Sequence, residues 1–189
     1  MFELSPIGGR VAEDDVESAL SEAASNDGRR WWVLHTKPRQ EKALSEDLKE
    51  RSIVHYLPII EARPAYRSRR ATVQLPLFQG YLFLFADSED RIESLKTKRV
   101  VSVLNVPDQS NLRREVSQIR RVIASREPFS LYPKLCRGAP CRVAVGALKG
   151  LVGVVIGTSS NRRFLVEVHA LGQSICLEID VACLEPISD

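Results

Sequence analysis

Pro76-Leu77-Phe78-Gln79-Gly80-Tyr81-Leu82-Phe83-Leu84-Phe85 is the stretch that decides how this chain folds. In an extended backbone successive side chains point to opposite sides. Tyr81, Phe83 and Phe85 therefore share one face of a strand, and Leu82 and Leu84 the other. Gly80 stands at the entrance, where the missing Cβ lets the backbone bend or approach a neighbour closely. A strand apolar on both faces needs two covers. Leu82 and Leu84 are expected to meet the protein's own core, and the pattern leaves open what covers the aromatic face.

Upstream, Trp31 to Thr36 reads as a strand ended by Lys37-Pro38, with a helix from Pro38 to about Arg51 carrying Ala43, Leu44 and Leu48. Ile53 to Ile60 reads as a second strand. Arg63 to Arg70, with four arginines and Tyr66, has the composition of a projecting polar hairpin, and Val73-Gln74-Leu75 returns toward the core. Downstream, Ser88-Glu89-Asp90 predicts a capped helix start running to about Lys98. Val100 to Leu104 predicts a strand. Leu112, Val116, Ile119 and Ile123 then mark one face of an amphipathic helix, with Arg113, Arg114, Arg120 and Arg121 opposite. Strands and helices alternating over residues 31–125 predict an α+β domain, an antiparallel sheet flanked by helices.

Residues 126–137, with Pro128 and Pro133, read as a linker, and 138–189 as a second domain. Short β-rich runs at 141–145, 152–157, 164–168, 174–179 and 181–184, punctuated by glycines, predict a small C-terminal β-barrel. Residues 1–30 read as an acidic, flexible extension with one weak helical stripe through Val16, Ala19, Leu20 and Ala23.

The net charge of +3 is unevenly spread. Residues 1–30 hold seven acids and three bases, residues 31–130 eighteen Lys/Arg against twelve Asp/Glu, and residues 131–189 six against five. The middle segment alone offers a field that a polyanion would feel. Lys37, Arg39, Gln40 and Lys42 cluster where the first strand meets the first helix. Arg67, Arg69 and Arg70 lie on the hairpin and Lys98 near the end of a helix, so all are candidate nucleic-acid contacts. The plain alternative is a solvated charged face. Cys136, Cys141, Cys176 and Cys183 lack metal-ligand spacing and read as free thiols. His35, His55 and His169 are scattered, and no nucleophile arrangement or phosphate-cradling loop accompanies them. No enzyme, cofactor or metal is expected. With no membrane span or secretory signal in the sequence, a monomeric cytoplasmic protein is.

Gly138-x3-Arg142-Val143-x2-Gly146-x3-Gly150-x2-Gly153-x-Val155 has the spacing of a KOW motif. Trp31-Trp32-Val33-Leu34, the helix behind Lys37, the Leu77 to Tyr81 run and this terminal pattern occur in the order of the NusG family of transcription elongation factors. The resemblance covers about residues 31–187. Lys37-Pro38-Arg39-Gln40-Glu41-Lys42 and Tyr56-Leu57-Pro58 make the chain more similar to the specialised RfaH-like and UpxY-like antiterminators than to the housekeeping factor.

The resemblance implies an NGN-like domain (31–125) that grips the clamp helices of the largest RNA polymerase subunit through His35, Phe78, Tyr81, Phe83 and Val106. It also implies contact of the 37–42 zone with non-template DNA. The KOW domain would recruit a small-subunit ribosomal protein or Rho. Relatives usually carry Pro at the position of Gln79 and aromatics at those of His35 and Val106, which implies a smaller, less aromatic depression here. Two alternatives stay open: a housekeeping factor assisting Rho-dependent termination, and a ribosome-associated KOW module that binds RNA.

Overall fold

The fold was derived from a computed structural model, which describes residues 4–6, 13–21, 28–62, 73–132, 138–158 and 161–187. The elements run β1 (Leu4–Pro6), α1 (Glu13–Ser21), β2 (Arg30–Thr36), α2 (Glu41–Glu50), β3 (His55–Tyr56), β4 (Ile59–Ala62), β5 (Val73–Pro76), β6 (Tyr81–Ala86), α3 (Ser88–Lys96) and β7 (Val100–Leu104). There follow α4 (Gln109–Ser125), β8 (Phe129–Tyr132), β9 (Ala139–Val143), β10 (Val152–Thr158), β11 (Asn161–Val168), β12 (Gln173–Leu177) and β13 (Leu184–Pro186). The chain divides into two units. One comprises residues 8–60 and 74–114, the other residues 1–7, 61–73 and 115–189.

The first unit is built on an antiparallel sheet of order β3-β6-β2-β7. β2 is central because both its faces are apolar. Trp32 and Leu34 face Leu84 and Leu82 across the ladder, and together with Leu44 and Leu48 of α2, Ile53, Leu57 and Ala86 they form one buried core. Leu44 and Leu48 lie four apart, on one stripe of α2. Arg39, at φ +61, holds the chain out of helical geometry, so α2 begins at Glu41 rather than at Pro38. Asp87, not Ser88, caps α3, its Oδ1 accepting the backbone N–H groups of Glu89 and Asp90 at 2.8 and 2.9 Å. The run Ile53–Ile60 is split into β3 and β4 around Leu57-Pro58, since proline cannot donate to a ladder.

The second unit carries an antiparallel sheet of order β13-β9-β10-β11-β12-β8, with β1 beside β8. The expected α+β domain and C-terminal β-domain are thus both present. Residues 126–137 are not simply a linker, because Phe129–Tyr132 pairs with β12 in the register Ile175↔Leu131. Val181–Cys183 is a turn of 3-10 helix, and the last strand begins one residue after it. In the N-terminal stretch α1 buries Val16 and Ala19. The arginine hairpin at 63–70 lies outside the described residues.

Candidate functional site

β2 and β6 place Trp31, His35, Tyr81, Phe83 and Phe85 on the sheet face opposite the core of Trp32, Leu34, Leu82 and Leu84. The pairs Trp31↔Phe85, Val33↔Phe83 and His35↔Tyr81 are set by the register, and Tyr56 of β3 stands opposite Phe83. The rings form a ladder. Trp31 and Phe85 lie 5.3 Å apart, Tyr56 and Phe83 stack at 6.3 Å, Phe78 meets Phe83 edge-on at 6.3 Å, and His35 tilts against Tyr81 at 5.3 Å. Such offset and edge contacts hold rings in fixed relative positions.

The expectation that Phe78 stands open is corrected: it is 1% exposed and Phe83 0%. A ring that packs edge-on to a strand neighbour is part of the fold. The sequence pattern does not distinguish such a ring from one awaiting a partner. Tyr81, His35 and Val106 remain half-buried.

The turn before β6 is clamped from both sides. Gly80 has φ +82, a conformation that suits glycine. Its N–H donates to Glu41 Oε1 at 2.7 Å and its carbonyl accepts the Thr36 N–H at 2.8 Å. Glu41 is buried, so the carboxylate is dedicated to this turn. Around it opens a concavity of about 710 Å³ whose lining includes His35, Arg39, Lys42, Gln79, Gly80 and Val101. Apolar walls and two cations meet there.

Lys37, Arg39, Lys42 and Lys98 are exposed. Lys42 Nζ donates to the Gln74 carbonyl at 2.7 Å. Gln40 differs from expectation, because its Oε1 accepts from Arg99, whose Nε also donates to Asp47 Oδ2 at 2.6 Å. An acceptor held by an internal guanidinium is poorly placed to read a base edge. Arg67, Arg69 and Arg70 lie outside the described residues.

In the second unit, Arg142 is exposed and Val143 buried on β9, and Val155 is half-buried on β10. Gly146 and Gly150 adopt φ +88 and +83 in the β9–β10 loop, while Gly153 serves packing. A Cβ on Gly153 would collide with the Leu165 carbonyl and come within 2.9 Å of the Phe164 ring. The predicted glycine spacing therefore has two physical causes, turn geometry and close strand approach.

The family model described as "Transcription termination factor nusG" matches residues 29–131, just over half of the chain. The chain belongs to the NusG family. It is a NusG-type transcription factor whose matched segment takes in all of the aromatic ladder and the clamped turn. Strands β9 to β13 lie beyond the match.

Among solved structures the chain is similar to Thermotoga maritima NusG, reported for its domain interaction, at 16% identity and TM-score 0.48, covering 85% of this chain and 98% of that one. It is also similar to conformation B of the MjSpt4:Spt5 complex, at 17% identity and TM-score 0.30, covering 84% and 97%. Conformation A gives 16% and 0.28, covering 84% and 99%. No curated protein matches the chain.

Two residues of this NusG-family site escaped the sequence reading. Gln109 joins the 105–109 segment to β2: its Oε1 accepts the Trp31 N–H at 2.8 Å, and its Nε2 donates to the carbonyls of Trp31 and Val106 at 2.9 and 2.7 Å. It thereby positions Val106. Glu41 escaped because a carboxylate between basic residues reads as a surface charge. Among the described residues no cluster could hold a metal ion, and no helix is long and apolar enough to cross a membrane.

Proposed function

We propose that this NusG-family chain rides on RNA polymerase during elongation as a specialised antiterminator of the RfaH-like or UpxY-like kind. The His35–Tyr81 end of the aromatic ladder, with Val106, docks the clamp helices of the largest polymerase subunit. Lys37, Arg39, Lys42 and Lys98 line up with phosphates of the non-template strand, where each contact adds affinity that salt removes. The KOW unit recruits a second factor, a ribosomal protein of the small subunit or Rho. Two docks on one chain raise the effective concentration of one partner near the other.

The observation that carries this reading is the concavity beside Gly80, bordered by the half-open His35 ring next to Tyr81. Phe78 and Phe83 are unsuitable probes, since truncating buried rings costs about 3–5 kcal/mol of stability. The test is polymerase retention by the full chain carrying His35→Ala and Tyr81→Ala. Loss of about tenfold in affinity is expected, in line with removal of aromatic anchors. Retention equal to wild type overturns the proposal.

The family description favours a second reading, assistance to Rho-dependent termination. Transcription of a long template with Rho separates the two, since added protein raises read-through in the first case and lowers it in the second.

A further inference from the structure

We infer that a groove in the C-terminal unit takes a basic, apolar-anchored segment of a partner protein. This rests on the proposed role of that unit in recruiting a second factor, and it names the chemistry by which the partner would be held. The groove lies between the β9–β10 loop and the segment that follows β12. Its floor is made by Val143, Leu148 and Leu177, all buried. Val145 on the loop is 56% exposed, an apolar side chain left in water at the groove's edge. The volume is about 190 Å³. That is below the range of about 300–1,000 Å³ usual for small-molecule sites, and suits a single anchoring side chain of a peptide.

The walls are fixed in advance. The Ala144 N–H donates to the Cys183 carbonyl at 2.8 Å, tying one wall to the other. The Gly150 N–H donates to the Val143 carbonyl at 2.6 Å and the Lys149 N–H to Gly146 at 3.1 Å, which closes the loop. A preformed groove lowers the ordering cost of binding.

Charge selects the occupant. The rim carries Glu127, Glu178 and Asp180, all exposed, and among the described residues no Lys or Arg lines the groove. Asp180 Oδ1 already accepts the Ala182 N–H at 2.9 Å, whereas Glu127 and Glu178 are in no ion pair among the described residues. Three carboxylates beside an apolar floor attract lysine or arginine flanking an aliphatic anchor, and they repel the phosphates of RNA. A protein segment is therefore favoured over a nucleic acid.

The test uses the full chain, isotopically labelled, titrated at low salt with a capped leucine peptide flanked by lysines and with its glutamine counterpart. Amide shifts are expected at Val145, Gly146, Leu148 and Ile179, with the lysine peptide bound about tenfold more tightly than the glutamine one. The preference is expected to fall as salt rises. Glu127→Lys with Glu178→Lys should abolish the preference, and the isosteric Glu127→Gln with Glu178→Gln should weaken it several-fold.

Equal binding of the two peptides, shifts centred elsewhere, displacement by oligouridine, or self-association of the chain through this face would each overturn the inference. Polymerase retention by the same charge variants reports separately on the N-terminal unit. Retention lost in the His35/Tyr81 variant leaves the groove intact, and peptide preference lost in the charge variants leaves the polymerase contact intact.

Discussion

His55 is buried between β3 and α2, its Nδ1 donating to the Ile53 carbonyl and its Nε2 accepting from Ser45 Oγ, both at 2.8 Å. Both ring nitrogens are used by a neutral imidazole. Burial pushes its pKa below the ordinary 6.5, against the smaller opposing effect of the Ile53 carbonyl. The unfolded chain therefore takes up this proton at higher pH than the folded one. Between the two values the unfolded state binds more protons, so stability falls as pH drops from about 6.5 through the folded pKa, then levels off. Urea unfolding across this range should show that decline. In His55→Gln the slope should flatten, although overall stability is lower; an unchanged slope would mean that His55 is not the group responsible. The same residue shows what sequence can and cannot disclose. A lone histidine on a strand pattern reads correctly as structural, but the serine that holds it is ten residues away and carries no signal. Gln40 fails for a related reason, since Arg99, which occupies its Oε1, is distant in sequence.

Helix α4 shows the same lesson across an element. Leu112, Val116, Ile119 and Ile123 were legible as a stripe, and all are buried. Glu115 and Gln118, also buried, were not. Glu115 Oε1 accepts from His169, from its N–H at 3.1 Å and its Nδ1 at 2.7 Å, while Gln118 Oε1 accepts the Val152 N–H at 2.6 Å. Arg121 donates to the Lys149 carbonyl. The division between the two units accordingly falls inside this helix, between Arg114 and Glu115. A fragment ending at Ser125 would lose these hydrogen bonds from buried groups, each at a cost of about 1–3 kcal/mol. Amides of Val116 to Ile123 should then exchange with solvent at least about tenfold faster than in the full chain. Equal exchange would show that α4 does not depend on the C-terminal sheet. β2, β6 and β7 were legible because each is a largely apolar run of five or more residues. β8 was not, because four residues between prolines show too little period and its partner β12 is more than forty residues away.

Across the whole molecule, charge is segregated along the chain. Acids concentrate before residue 30 and bases in the middle segment. An acidic stretch on the same chain lowers the positive potential that a nucleic acid meets. Neutralising Glu13, Asp14 and Asp15 to their amides should therefore tighten binding of single-stranded DNA by about two- to fivefold at low salt. The gain should vanish as salt rises, as read by fluorescence anisotropy. No gain at low salt would show that the acidic segment does not act on the basic one. The two tryptophans offer a way to watch such events. Trp31 lies against Phe85 on the aromatic face, while Trp32, one residue on, points the other way with the guanidinium groups of Arg30 and Arg91 at 3.9 and 5.2 Å from its ring. The chain has no others. Replacing either indole by phenylalanine would thus leave a single optical reporter for one side of the sheet, without any added dye.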